Sequence, residues 1–295
     1  MVDSGYITPN YMIFPLGLTD KAERNVEAAI YPGRLAKRGT TDYDIKPADC
    51  LKPAIGWVGW EEALGRYQPT DLDTAYATSA VTYIGKCPGK PVFVPGGLPI
   101  GFVAEEGDYL IPWGTAGQVA PAVKIGGGYG VKIPFTEKTS EFDTGIDLPA
   151  GILVNGWRVD TVTAANSATI DIGILSSESG GDAAGFVDGA SLAATGLVFP
   201  GSVDASAATN TTGVLLVESD ITSADTSALI VSVPTPYKCD GTAKSITYTT
   251  SDHTVAGFFY LIVDAPGIEA VGKVAATVDA SAATADTDIM VTSLI

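Results

Sequence analysis

Residues 142–174, FDTGIDLPAGILVNGWRVDTVTAANSATIDIGI, constrain the fold more than any other stretch. In Thr169–Ile174 isoleucines alternate with small or polar residues, and a period of two puts Ile170, Ile172 and Ile174 on one buried face of a β-strand. Upstream, Leu153, Trp157, Val159 and Thr161 alternate with Arg158 and Asp160, and Asn155-Gly156 interrupts the run where a bulge or sharp bend belongs. Residues 163–168 supply a turn, so the two runs read as an interior antiparallel pair.

The same grammar recurs along the chain. Between Gly33 and Ile133, short apolar runs at 55–60, 81–84, 91–94, 99–103, 109–112 and 119–125 are separated by turn residues, which indicates a small barrel or sandwich. Further on, 213–218 and 228–233 read as strands. Runs 246–250 and 255–263 flank Ser251-Asp252-His253-Thr254 and read as a hairpin faced by Tyr248, Phe258, Phe259 and Tyr260. Residues 176–194, rich in Gly, Ser, Asp and Ala, read as a long surface loop. Hydrophobic residues make up 46% and charged residues only 17%, so the chain folds, and small residues fill the gaps as in turn-rich β proteins. The expectation is an all-β protein.

At 295 residues the chain has room for two domains. Residues 1–30 read as an N-terminal arm and a short helix. The arm is aromatic and broken by proline; the helix rests on Asp20 and Glu23 at capping-box spacing and ends at Tyr31-Pro32-Gly33. Residues 31–138 then form a small β-barrel domain and 139–295 a β-sandwich domain, with the polar stretch 136–141 as boundary. The heptapeptide Val-Asp-Ala-Ser-Ala-Ala-Thr occurs at 203–209 and again at 278–284, each time ahead of an apolar run. It reads as one loop-to-strand solution used twice.

The net charge of −17 argues against a nucleic-acid or anionic-membrane surface, both of which need clustered Lys and Arg. Its distribution is uneven. Residues 1–140 hold 13 Lys and Arg against 15 Asp and Glu, whereas residues 141–295 hold 4 against 19, a net of −15. The balanced half can approach another protein without a large charge penalty, and the acidic half repels like surfaces. Cys50, Cys87 and Cys239 are odd in number and widely spaced, which suggests neither a disulfide framework nor a zinc site. Met1–Gly5 lacks the pattern of a signal peptide, and no apolar run approaches the about 18–20 residues of a membrane-spanning helix. Assembly in the cytoplasm is the expectation.

Four short patterns occur in fixed order: Phe142-Asp143-Thr144-Gly145-Ile146-Asp147-Leu148-Pro149-Ala150-Gly151, a strand, Thr169-Ile170-Asp171-Ile172-Gly173, and Gly180-Gly181-Asp182-Ala183-Ala184-Gly185-Phe186-Val187-Asp188-Gly189. Together they resemble a module of the capsid decoration, or cement, proteins of tailed phages and related viruses. The resemblance covers the C-terminal half. More weakly, residues 105–112 with 114–119 resemble the turn-strand-turn of small β-barrel capsid-associated proteins. The resemblance implies a jelly-roll-like sandwich, a place on the capsid surface of a virion, the major capsid protein as partner, and a homotrimer. It carries over no active-site residues.

Candidate capsid contacts are the aromatic arm residues Tyr6, Tyr11 and Phe14, and the pair Trp57 and Trp60. The arm reads either as a strap over its own barrel or as an element docking on a neighbour. Trp57 and Trp60 stand three apart, on opposite faces of a strand, so one belongs to a core and the other to an interface. Chemistry finds little footing. His253 is the only histidine, in a turn, with no nucleophile elbow beside it. Gly126–Gly130 lacks the Lys-Ser/Thr of a phosphate loop. The carboxylate pairs Asp71/Asp73, Glu105/Glu106 and Asp286/Asp288 could serve a glycosidase only at a suitable separation, and none follows calcium-loop spacing. The expectation is a structural virion protein with no catalytic, cofactor or metal site. The alternatives are a host-attachment or carbohydrate-binding module and, least favoured, a glycoside hydrolase.

Overall fold

The structure, a computed structural model, describes residues 13–14, 18–63, 66–68, 71–199, 236–239, 241–251 and 254–295. The described residues are all-β, with no helix. They divide into two compact units, Met1–Val123 with Ala265–Ile295, and Lys124–Asp264.

The first unit contains a closed five-stranded barrel in the order Asp20–Val26, Asp44–Pro47, Leu35–Arg38, Ala54–Val58, Val81–Lys86. Asp20–Val26 closes it, running antiparallel to Val81–Lys86 through six residue pairs and parallel to Asp44–Pro47 on the other side. This is where the short helix was expected. A capping-box spacing is a local signal worth about 1 kcal/mol, and it yields to a strand whose backbone groups pair on both sides and whose Val26 enters the barrel core. That core holds Val26, Ile30, Ala36, Ile45, Val58, Tyr76 and Ile84.

One carboxylate fastens the turn between Leu35–Arg38 and Asp44–Pro47. Glu27 accepts hydrogen bonds from the Thr40 amide and hydroxyl, each at 2.6 Å, and an ion pair from Lys46 Nζ at 2.6 Å. The Lys46 and Thr40 contacts hold its pKa at about 2, against an ordinary 4.5. A lowered folded-state pKa means that the unfolded chain binds the proton first, so this stabilisation is present above pH 4.5 and is lost as pH falls towards 2. Thermal melting of the wild type and of Glu27→Gln should therefore differ at pH 7 and converge as pH approaches 2; a constant gap across that window would mean that Glu27 does not clamp the turn.

The remainder of the first unit is a sheet in the order Gln118–Ile125, Tyr109–Trp113, Gly272–Val274, Thr287–Ser293, Pro91–Leu98. Its middle strands come from the last thirty residues of the chain. The second copy of the heptapeptide opens the strand Val278–Asp279, which pairs with Val103–Ala104; the first copy lies outside the described residues.

The second unit is a sandwich of two antiparallel sheets, one of which also takes in the short strand Tyr237–Lys238 beside Leu153–Thr163. One runs Gly196–Val198, Leu153–Thr163, Ala256–Asp264, Gly128–Thr136; the other runs Phe142–Leu148, Lys244–Thr250, Thr169–Ile174, Val187–Ser191. Followed along the chain, the strands pass between the sheets in the jelly-roll order. Ile170, Ile172 and Ile174 are buried as their spacing requires, and so are Trp157, Val159, Phe259 and Leu261 of the other sheet. Phe135, Tyr248 and Phe259 stack edge to face, with centroids 6.0–6.3 Å apart.

Three expectations are corrected here. The Leu153–Thr163 and Thr169–Ile174 strands are not a hairpin, because each pairs within a different sheet; the same holds for Lys244–Thr250 and Ala256–Asp264. The division at 138/139 shifts to 123/124 and 264/265, because Gly128–Thr136 finds its partner in Ala256–Asp264, and the chain after 264 returns to the first unit. Residues 176–194 are a surface loop only as far as residue 186. Val187–Ser191 is a strand, and the turn before it is tied down by Ser176 to both oxygens of Glu141, by the Ile174 amide to Asp182 O at 2.9 Å, and by Lys244 Nζ to Ser179 O at 2.9 Å.

Candidate interaction surface

Tyr6, Tyr11 and His253 lie outside the described residues. Phe14 is buried and tilts against Tyr83. Trp57 is fully buried, and its indole N–H donates to Ser293 Oγ at 3.0 Å. Trp60, just past the end of the Ala54–Val58 strand, is 8% exposed. Both tryptophans are thus core residues. Neither offers an indole face to a partner: Trp57 points to the side of its strand opposite Val58, away from the barrel core, and is covered there with its indole against Ser293.

The Asp286/Asp288 pair serves the fold. Asp288 Oδ1 accepts the Gly96 amide at 2.7 Å and Asp286 Oδ2 accepts Gln118 Nε2 at 2.7 Å, beside the buried Arg34, whose Nε donates to Pro95 O at 2.7 Å. Burial lowers the Arg34 pKa, opposed by the charges of Asp286, Tyr31 and Asp288. Asp108 Oδ2 accepts the Glu105 amide at 3.0 Å. Gly126-Gly127 is a turn with open space around it. The three cysteines are buried, and burial pushes the Cys87 thiol up. Among the described residues no three His, Cys, Asp or Glu side chains gather as a metal site.

The two outer faces of the jelly roll differ. Paired residues on antiparallel strands share a face, so the register lays out each one. On the sheet of Phe142–Leu148, the face carries Asp143, Thr247, Thr249, Asp171, Thr169 and Ser191. Many of these polar groups bond within the chain: Asp171 Oδ1 accepts the Gly189 amide at 2.7 Å and Thr247 Oγ1 donates to Phe142 O at 2.9 Å. Asp182 and Ala183 pack over Gly173 on the same side.

On the sheet of Gly196–Val198, one row reads Leu197, Asp160, Phe258, Pro134, and the next holds Arg158, Tyr260 and Lys132. The Arg158 guanidinium lies 5.9 Å from the Phe199 ring centroid, and Lys132 Nζ lies 4.5 Å from that of Phe258. Towards the Gly196–Val198 edge the face opens to solvent. Val162 is 61% exposed, Leu197 46% and Phe199 38%, three apolar side chains on the face that also carries Arg158 and Asp160. This patch is the candidate interaction surface. The residue pattern offers one faint signal of it: Leu197 and Phe199 stand two apart with no charge between residues 189 and 203. Compared with models of protein families, with curated proteins and with solved structures, the chain matches none.

Proposed function

We propose that this chain is a structural protein of a virion, which binds the capsid shell and reinforces or decorates it through contact with the major capsid protein. It acts by binding, without turnover of a substrate, and associates as a homotrimer after synthesis in the host cytoplasm. Neither nucleic acid nor membrane is its partner. Fold alone does not assign function. The observation that carries the reading is the jelly-roll strand order of residues 124–264, an architecture used in viral capsid domains, in the same stretch whose residues resemble the decoration proteins. The uneven surface supports it: a polar, self-satisfied face suits solvent, and an apolar patch suits a partner.

Shells assembled from the major capsid protein of the virus that carries this chain, but lacking the chain itself, supply the test. The purified protein should co-sediment with them as a trimer by mass. Jelly rolls also serve as lectins, so the same preparation goes onto a glycan array. Glycan binding without shell binding would replace the reading with that of a host-attachment module.

A further inference from the structure

We infer that the Gly196–Val198 edge of the jelly roll receives an extended strand of the shell protein, apolar on the side facing Leu197 and carrying a carboxylate that reaches Arg158. The inference rests on the proposed capsid-binding function and names its point of attachment. Protein sheets blunt exposed edges with charges and bulges, and an edge without them is a template for another strand. Both edges of the opposite sheet are blunted: Phe142–Leu148 carries Asp143, Asp147 and Gly145 at φ 71, and Val187–Ser191 carries Asp188 and Gly189 at φ 68. Gly196–Val198 has neither charge nor bulge, and among the described residues it pairs on one side only, with Leu153–Thr163.

The side chains beside it state what would fit. Leu197 and Val162 present apolar area to the alternate residues of an incoming strand. Arg158 stacks on Phe199 and makes no ion pair among the described residues, in a half of the chain with 4 basic residues against 19 acidic ones. An unpaired guanidinium within an acidic surface selects a carboxylate, placed beside apolar side chains.

The test uses full-length protein and the chain-free shells. Leu197 is partly exposed, so Leu197→Lys adds an edge charge without entering the core; it should fold as the wild type does, by circular dichroism, and bind shells about tenfold or more weakly. Arg158→Ala should weaken binding, and Arg158→Lys should restore part of it. In the wild type, amide exchange at Leu197 and Val198 should slow on shell binding. Unchanged binding by Leu197→Lys, or unchanged exchange at those amides in bound protein, overturns the edge assignment while leaving the capsid-binding function standing. A wild type that ignores shells overturns the function, and this inference with it. A Leu197→Lys protein whose free form drops to monomer mass shows the edge to be occupied by a second copy, which also overturns the inference.

Discussion

Gly173→Ala should unfold the jelly roll or cost it about 4 kcal/mol or more, at the far end of what single substitutions do. A β-carbon on Gly173 would stand 1.9 Å from Asp182 O and 2.6 Å from the Ala183 carbonyl carbon. Both neighbours are backbone, so no side-chain rotation relieves the clash. Moving the turn away would break the Ile174 amide bond to Asp182 O and disturb the Phe186 amide bond to Ile172 O, both 2.9 Å, which join the turn to the Thr169–Ile174 strand. Gly127→Ala is the control: it meets nothing within 4 Å and has no positive φ, so its melting temperature should stay close to that of the wild type. Equal melting of the two variants would show that the turn does not sit on the strand as described.

Trp57→Ala should lower the stability of the first unit by about 3–5 kcal/mol, the usual cost of emptying a buried aromatic site. Trp57 is fully buried, opposite Leu35 on one neighbouring strand and Gly85 on the other. Its indole N–H is bonded to Ser293 Oγ, which in turn donates to Ile295 O at 2.7 Å, so the side chain also ties the barrel to the last residues of the chain. Trp57→Phe keeps most of the volume and loses the hydrogen bond. It should cost about 1–3 kcal/mol less than alanine does, since an emptied cavity destabilises more than one lost hydrogen bond. Melting followed by tryptophan-independent circular dichroism reads both variants, and a Trp57→Ala protein as stable as the wild type would contradict burial of this side chain.

Strand character was determined by the sequence itself, because it is local. The alternation in Thr169–Ile174 and Leu153–Thr163 decides which side chains face inward, and Asn155-Gly156 marks the bulge that appears as a register shift between Val154 and Gly156. The all-β class follows from the same local patterns.

Partnership was decided only by the tertiary structure. A period of two states which face is buried but not which strand lies alongside, so Leu153–Thr163 and Thr169–Ile174 look like a hairpin in sequence and separate into opposite sheets in space. Asp20–Val26 carries a helix signal that two flanking strands override, and Ala265–Ile295 pairs with strands over 150 residues upstream. The candidate surface is of this second kind. Of Trp57 and Trp60, local pattern assigns one to a core and the other to an interface, and the fold buries both, whereas Val162, Leu197 and Phe199 form a patch only because Leu153–Thr163 pairs with Gly196–Val198 at the sheet edge. Exposure depends on which strands meet, and long-range pairing sets that after local pattern has set the strands.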